Sequence, residues 1–287
     1  MPKKRPAYAP TAPGGSLAPL DLSEHTLADL EIEDERSLRH VSIYADLKEV
    51  IAQSGYTFLV LPPSLVGRWD RALLLNLTFW GATDGSGARV GGDILVDRTL
   101  PADVVAHVAW HHLAATALHS SGPPSADALF LGEAIASAFD LYLVGRLLGH
   151  APASTFLETQ VPAMAEAAEA AGLSEAGIDA LLNDVARAPE ASFESLRQLL
   201  FDATRALLRC RSATDGLRAL ASFDEHPFAP LLHRYELSNW VLHARAYVAD
   251  PLAADPAVEA LDQALRAAPD AVEHLRAAWV APALPRG

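Results

Sequence analysis

Two histidines four residues apart, His107 and His111 in His107-Val108-Ala109-Trp110-His111, constrain this chain more than any other feature. At 100° per residue a helix sets the two imidazoles about 40° apart around its axis, so both rings can reach one ion. A third ligand must come from another segment. Glu133, in Gly132-Glu133-Ala134-Ile135-Ala136, stands 22 positions after His111 and beyond a Gly122-Pro123-Pro124 break. The break predicts that Glu133 rides a second helix, which can fold back on the first.

On these residues the chain resembles the glutamate-zincin metallopeptidases, the thermolysin-like and related aminopeptidase families. Those carry H-E-x-x-H on one helix and a glutamate in a Gly/Asn-Glu setting on the next. The resemblance covers Leu100 to Gly149. It implies that His107, His111 and Glu133 hold Zn²⁺ with a fourth position open, and that a small sheet precedes the first histidine helix. It also implies metal-assisted hydrolysis of a peptide or small-molecule substrate. Val108 departs from the pattern, because it stands where the family has its catalytic glutamate. Loss of a positioned general base costs about 10²–10⁴ in rate, which implies a weakened or repurposed hydrolase, a pseudoenzyme at the limit. His112 and His119 project on Val108's side of the helix and are candidate surrogate bases. The family steadies its oxyanion with a C-terminal histidine or tyrosine, and the segment that carries His233, Tyr235, Glu236, Trp240, His243 and Tyr247 offers several candidates here, His233 among them.

The same residues admit two other classes. Two histidines and one carboxylate also suit Fe²⁺, and oxygen activation needs no glutamate at Val108. Asp140, His112, His119, His233 and Glu236 would enlarge such a site toward two metals in a helical core. Alternatively, Val104, Ala114, Ala115 and Leu118 share the histidine stripe, and an apolar stripe fits a metal-free scaffold or binding module with core histidines paired to Glu133 and Asp140. Asp103 and Asp140 are candidates for orienting the imidazole rings; helix capping is the plainer role for Asp103.

Composition limits the partners. Acidic residues outnumber basic ones 36 to 22, a net charge of −14 that argues against nucleic acid and anionic membranes. The single cysteine, Cys210, excludes an internal disulfide framework. Residues 1–20 are rich in proline, alanine and glycine, with no apolar run of the secretory kind, so a cytoplasmic location is expected. The most apolar helix carries Glu133, Asp140 and Arg146, which speaks against a membrane span.

The expected fold is α+β and predominantly α-helical. A disordered tail over 1–20 is followed by a zincin-like α+β region over 21–149 and a C-terminal helical domain over 150–287. Within the second region the pattern predicts helix over Ser23 to Gln53, a strand at Tyr56 to Leu61, and a hairpin from Leu73 to Asp97. The two motif helices follow, with Thr99 and Ser125 as their N-caps. Further helices are predicted at Thr155 to Ala171, Ser174 to Ala188, Ser192 to Phe223 and Phe228 to Ala249.

Overall fold

The computed structural model describes residues 4–7, 20–65, 94–118, 124–151 and 153–285. The fold is α+β and predominantly helical, with a small mixed sheet near the N-terminus. The chain forms two compact units: a sheet unit of residues 1–35 and 49–102, and a helical unit of residues 36–48 and 103–287. This differs from the expected division at 149/150. The motif helices belong with the C-terminal helices, because the second of them is the core of that unit.

In the sheet unit, β1 (Lys4–Ala7), β2 (Leu20–Thr26) and β4 (Thr57–Val60) pair antiparallel in that order, and β5 (Ile94–Leu95) joins β4 in parallel. Leu22, Leu61 and Ile94 form its buried centre. A second parallel pair joins β3 (Glu31–Glu33) to β6 (Thr99–Pro101). Two expectations are corrected here. Lys4–Ala7, inside the expected disordered tail, is a strand: an edge strand needs only backbone partners, which composition does not reveal. The helix expected from Ser23 is, up to Glu33, mostly strand, and helix appears only at α1 (Glu35–Leu38) and α2 (Ser42–Ser54). Most of the expected hairpin lies outside the described residues.

The helical unit is built around α4 (Ala126–Leu147), which follows α3 (Ala102–Leu118). Ser125 caps α4 as expected, its Oγ accepting the Ala128 N–H at 3.0 Å and donating to Asp255 at 2.7 Å. Thr99 does not cap α3, since it is committed to β6. Nearly every side chain of α4 is buried on all sides, which explains its continuous apolar character. Among the described residues it is the one helix long and apolar enough to cross a membrane, and 83% of that apolar window is buried inside the protein.

Around α4 pack α5 (Thr155–Ala170), α6 (Glu175–Arg187) and α7 (Pro189–Leu208). Gly145 permits the tightest crossing: a Cβ there would stand 2.6 Å from the Val185 carbonyl oxygen and 2.9 Å from the Pro189 Cβ. A buried ion network ties α7 to α10 (Pro256–Ala267). Arg197, with no exposed surface, donates to both oxygens of Glu194 at 2.7 and 2.8 Å and to Asp262 at 2.8 Å. Arg266 then links Asp262 to Asp202.

Two long helices expected from periodicity are each broken. The first ends as α7 at Leu208, and α8 (Ala213–Ala221) restarts after Ser212, whose Oγ accepts the Asp215 N–H at 3.1 Å. A serine that satisfies a backbone N–H starts a helix as readily as it continues one. The second is a 3₁₀ turn (Ala229–Tyr235) and then α9 (Leu237–Tyr247), separated by Glu236 at φ +48°. That left-handed residue reorients the chain, so His233 and His243 do not share one continuous helix face. Beyond α10 the chain closes with α11 (Ala271–Leu275), a π turn (Arg276–Val280) and α12 (Ala281–Ala283).

Candidate metal centre

Helices α3 and α4 run antiparallel past each other, a relation read from two cross-helix pairs: His107 meets Asp140, and His111 meets Glu133. Trp110, fully buried, sets its ring edge-on to Phe139 with centroids 5.3 Å apart, which fixes the rotation of α3 against α4. Gly132 lets the two helices approach, since a Cβ at that position would lie 3.3 Å from the Cβ of Ala114. These apolar contacts carry the polar side chains to one place.

The donor atoms of His107, His111 and Glu133 all lie within 4.8 Å of one another. The two Nε2 atoms are 3.1 Å apart, and His111 Nε2 is 3.7 Å from Glu133 Oε2. An ion bonded tetrahedrally to two nitrogens at about 2.0–2.1 Å would hold them about 3.3 Å apart, so the spacing fits a common ion. Two imidazole nitrogens in contact cannot both present lone pairs without a proton or a cation between them. All three side chains are partly exposed, His111 at 37% and Glu133 at 13%, so solvent reaches the cluster.

Behind His107, its Nδ1 lies 3.1 Å from Asp140 Oδ2 and 3.4 Å from Oδ1. Asp140 is one of two carboxylates at this end of the site. The other, Asp103, has its pKa pushed up to about 6, chiefly by burial and then by the Asp140 charge. The Tyr235 phenol is shifted upward by burial, with a smaller contribution from Asp140 in the same direction.

Of the candidates named from the sequence, His107, His111 and Glu133 converge and Asp140 stands directly behind them. Val108 is 4% exposed and packs in the core. His112 is half-buried, burial depressing its pKa, and it is not part of the donor cluster. His233 is exposed on the 3₁₀ turn and also stands outside the cluster. His119 lies outside the described residues. Gly132's role as spacer beside Glu133 was not read from the sequence, although a glycine inside a helical run signals close packing when no turn is present.

No protein-family model matches this chain, and neither a curated protein nor a solved structure does.

Proposed function

We propose that His107, His111 and Glu133 hold one divalent cation, Zn²⁺ in the first instance, in a zincin-like site whose catalytic glutamate is missing. The observation that carries this reading is the convergence of three donor atoms within 4.8 Å, contributed by two helices that pack through apolar contacts of their own. Two imidazoles and a carboxylate with one position left for water form the donor set of catalytic zinc sites.

When bound, such an ion would polarise a carbonyl and lower the pKa of its water toward about 7. The chain's own part is then limited. His107 and His111 supply neutral nitrogen ligands, Glu133 supplies charge, and Asp140 holds the His107 ring. No carboxylate follows His107, and Val108, buried in the core, moves no proton. Proton transfer to a poor leaving group such as a peptide amine therefore has no dedicated carrier at that position, whereas an ester with a good leaving group needs none. The reading is a weakened or repurposed hydrolase acting on small activated acyl compounds, with peptides as poor substrates.

Hydrolysis of a panel of aryl esters and peptides by zinc-loaded protein tests this, with His111→Ala as the control. Ester cleavage that zinc restores and His111→Ala abolishes supports it. Equal rates in the two proteins contradict it, and oxygen-dependent turnover with Fe²⁺ would instead favour an oxidative enzyme on the same ligands.

A further inference from the structure

Among the described residues the large exposed hydrophobics are Leu217, Leu242, Tyr247 and Leu252, at 59–70% exposure, and all fall within residues 217–252. Scattered exposed leucines need no explanation; a group gathered in one stretch does. They gather around the end of α7. Gly216 seats α8 there, where a Cβ would stand 3.7 Å from Leu207 Cδ2. Arg245 ties α9 to the same end, donating to the Leu208 carbonyl at 3.0 Å and the Cys210 carbonyl at 2.6 Å. Helix α8 itself buries none of its side chains. The charges at this end run against the rest of the protein. Across 209–221 and 237–252, Arg209, Arg211, Arg218 and Arg245 stand exposed against the carboxylates Asp215 and Asp250, in a chain of net charge −14.

The complementary chemistry is on α6. Ile178, Leu181, Leu182 and Val185 recur at helical spacing and form one stripe, yet only Val185 is buried and the other three are half-buried. Exposed Glu175 and Asp179 flank the stripe on one side, and Asp184, paired with Arg187 at 2.8 Å, on the other. From residue 147 to residue 186 the chain has no lysine or arginine. The two faces are rooted at opposite ends of the α4–α7 pair. Helix α6 meets α4 at Gly145, near the end of α4, and leads directly into α7. At the other end of α7, Arg205 pairs with Asp127 in the first turn of α4 at 3.0 Å. The twenty residues of α7 hold those ends about 30 Å apart.

We propose that the leucine–arginine face at the end of α7 docks the acidic helix α6 of a second copy of this chain. Leu217 and Leu242 cover Ile178, Leu181 and Leu182, while Arg211 and Arg218 meet Glu175 and Asp179. Either face against its own copy would set arginine against arginine or carboxylate against carboxylate, so charge selects a head-to-tail contact over a two-fold one. Such a contact closes into a ring where the rotation permits and otherwise grows as a chain. It uses no residue of the metal centre and stands independently of the metal reading.

Sedimentation velocity of the full chain over a concentration series tests this, in buffer with a chelator so that no ion bridges copies. Wild type should associate, as a ring of fixed mass or as chains that lengthen with concentration. A variant with Arg211→Glu and Leu217→Asp has lost one face, and a variant with Glu175→Arg and Asp179→Arg the other; each alone should sediment as a folded monomer, with folding checked by circular dichroism. Their equimolar mixture should give one-to-one dimers and nothing larger, because each copy keeps the one face that the other lacks. Where a double variant fails to fold, Leu242→Ser and Asp179→Asn, milder changes at exposed positions, should each weaken association about tenfold. Wild type that stays monomeric up to its highest soluble concentration overturns the proposal and leaves the leucine–arginine face to an acidic segment of another protein. Variants that associate as wild type does, or a mixture that stays monomeric, overturn it as well.

Discussion

Ala114 and Gly132 touch across the α3–α4 crossing so closely that a Cβ on residue 132 would stand 3.3 Å from the Ala114 Cβ. The contact sits one residue from Glu133, the carboxylate proposed as a ligand. Gly132→Ala gains up to about 1 kcal/mol of helix propensity, which offsets the crowding, so overall stability should change by less than about 1 kcal/mol. The helices nevertheless separate by a few tenths of an ångström, enough to loosen a site held to about half an ångström. The expected result is a several-fold loss of zinc affinity at nearly constant urea midpoint; unchanged affinity would detach the helix spacing from the site.

Val108→Glu is the substitution the family pattern invites. Because Val108 is 4% exposed and packed in the core, the new carboxylate enters an apolar environment without a partner of its own. A cost of about 3–5 kcal/mol is expected, seen as a lowered urea midpoint in metal-free buffer. A midpoint within about 0.5 kcal/mol of wild type would mean that position 108 faces the open site after all.

Arg197 and Arg187 offer a contrast between buried and surface ion pairs. Arg197→Ala removes the buried cation that Glu194 and Asp262 share, leaving Glu194 with Gln198 and Asp262 with Arg266, and should cost about 3–5 kcal/mol. Arg187 is 74% exposed beside Asp184, and its removal should change stability by no more than about 0.5 kcal/mol. Chemical denaturation of the two variants checks the difference, and comparable losses would contradict the placement of Arg197.

His226 makes stability depend on pH. Its Nδ1 accepts the Phe228 N–H at 3.1 Å, and Nε2 meets Ser195 Oγ at 3.3 Å. Burial holds its pKa below the ordinary 6.5, with the Asp202 charge working the other way. A depressed histidine pKa means that the fold favours the neutral ring. Its contribution is fully present above about pH 6.5 and is lost as pH falls through the lower folded value. Urea midpoints of wild type should therefore drop more between pH 7.5 and 5 than those of His226→Gln; an equal drop would remove His226 from the acid response.

Much of the site was legible because it depends on spacing within two helices. His107 and His111 at four residues, and Glu133 after a proline break, required only helical geometry and a chain reversal. The parts that were not legible depend on contacts between distant segments. Nothing local tells that Lys4–Ala7 pairs with Leu20–Thr26, or that Glu236 adopts a left-handed conformation that splits an otherwise helical run. The breaks at Ser212 and Glu236 share a cause: residues tolerant of helix were used as caps or hinges, and periodicity alone cannot distinguish the two uses. The histidine helix likewise joined the C-terminal helices because α4 buries most of its surface there, a tertiary fact that outweighs sequence order.

Zinc content is the most direct measure of whether these two helices form a metal centre. Protein prepared without chelators or metal-affinity resin, dialysed against buffered zinc and analysed by element-specific mass spectrometry, should hold one equivalent per chain, and His107→Ala and Glu133→Ala should hold none. It should also melt at higher temperature with zinc than without, since about 2.7 kcal/mol is added at a free ion concentration a hundredfold above Kd. Folded wild-type protein that retains no zinc, iron or manganese, and whose melting temperature none of them moves, would contradict the metal centre and leave a helical protein with a buried-edge histidine–carboxylate cluster.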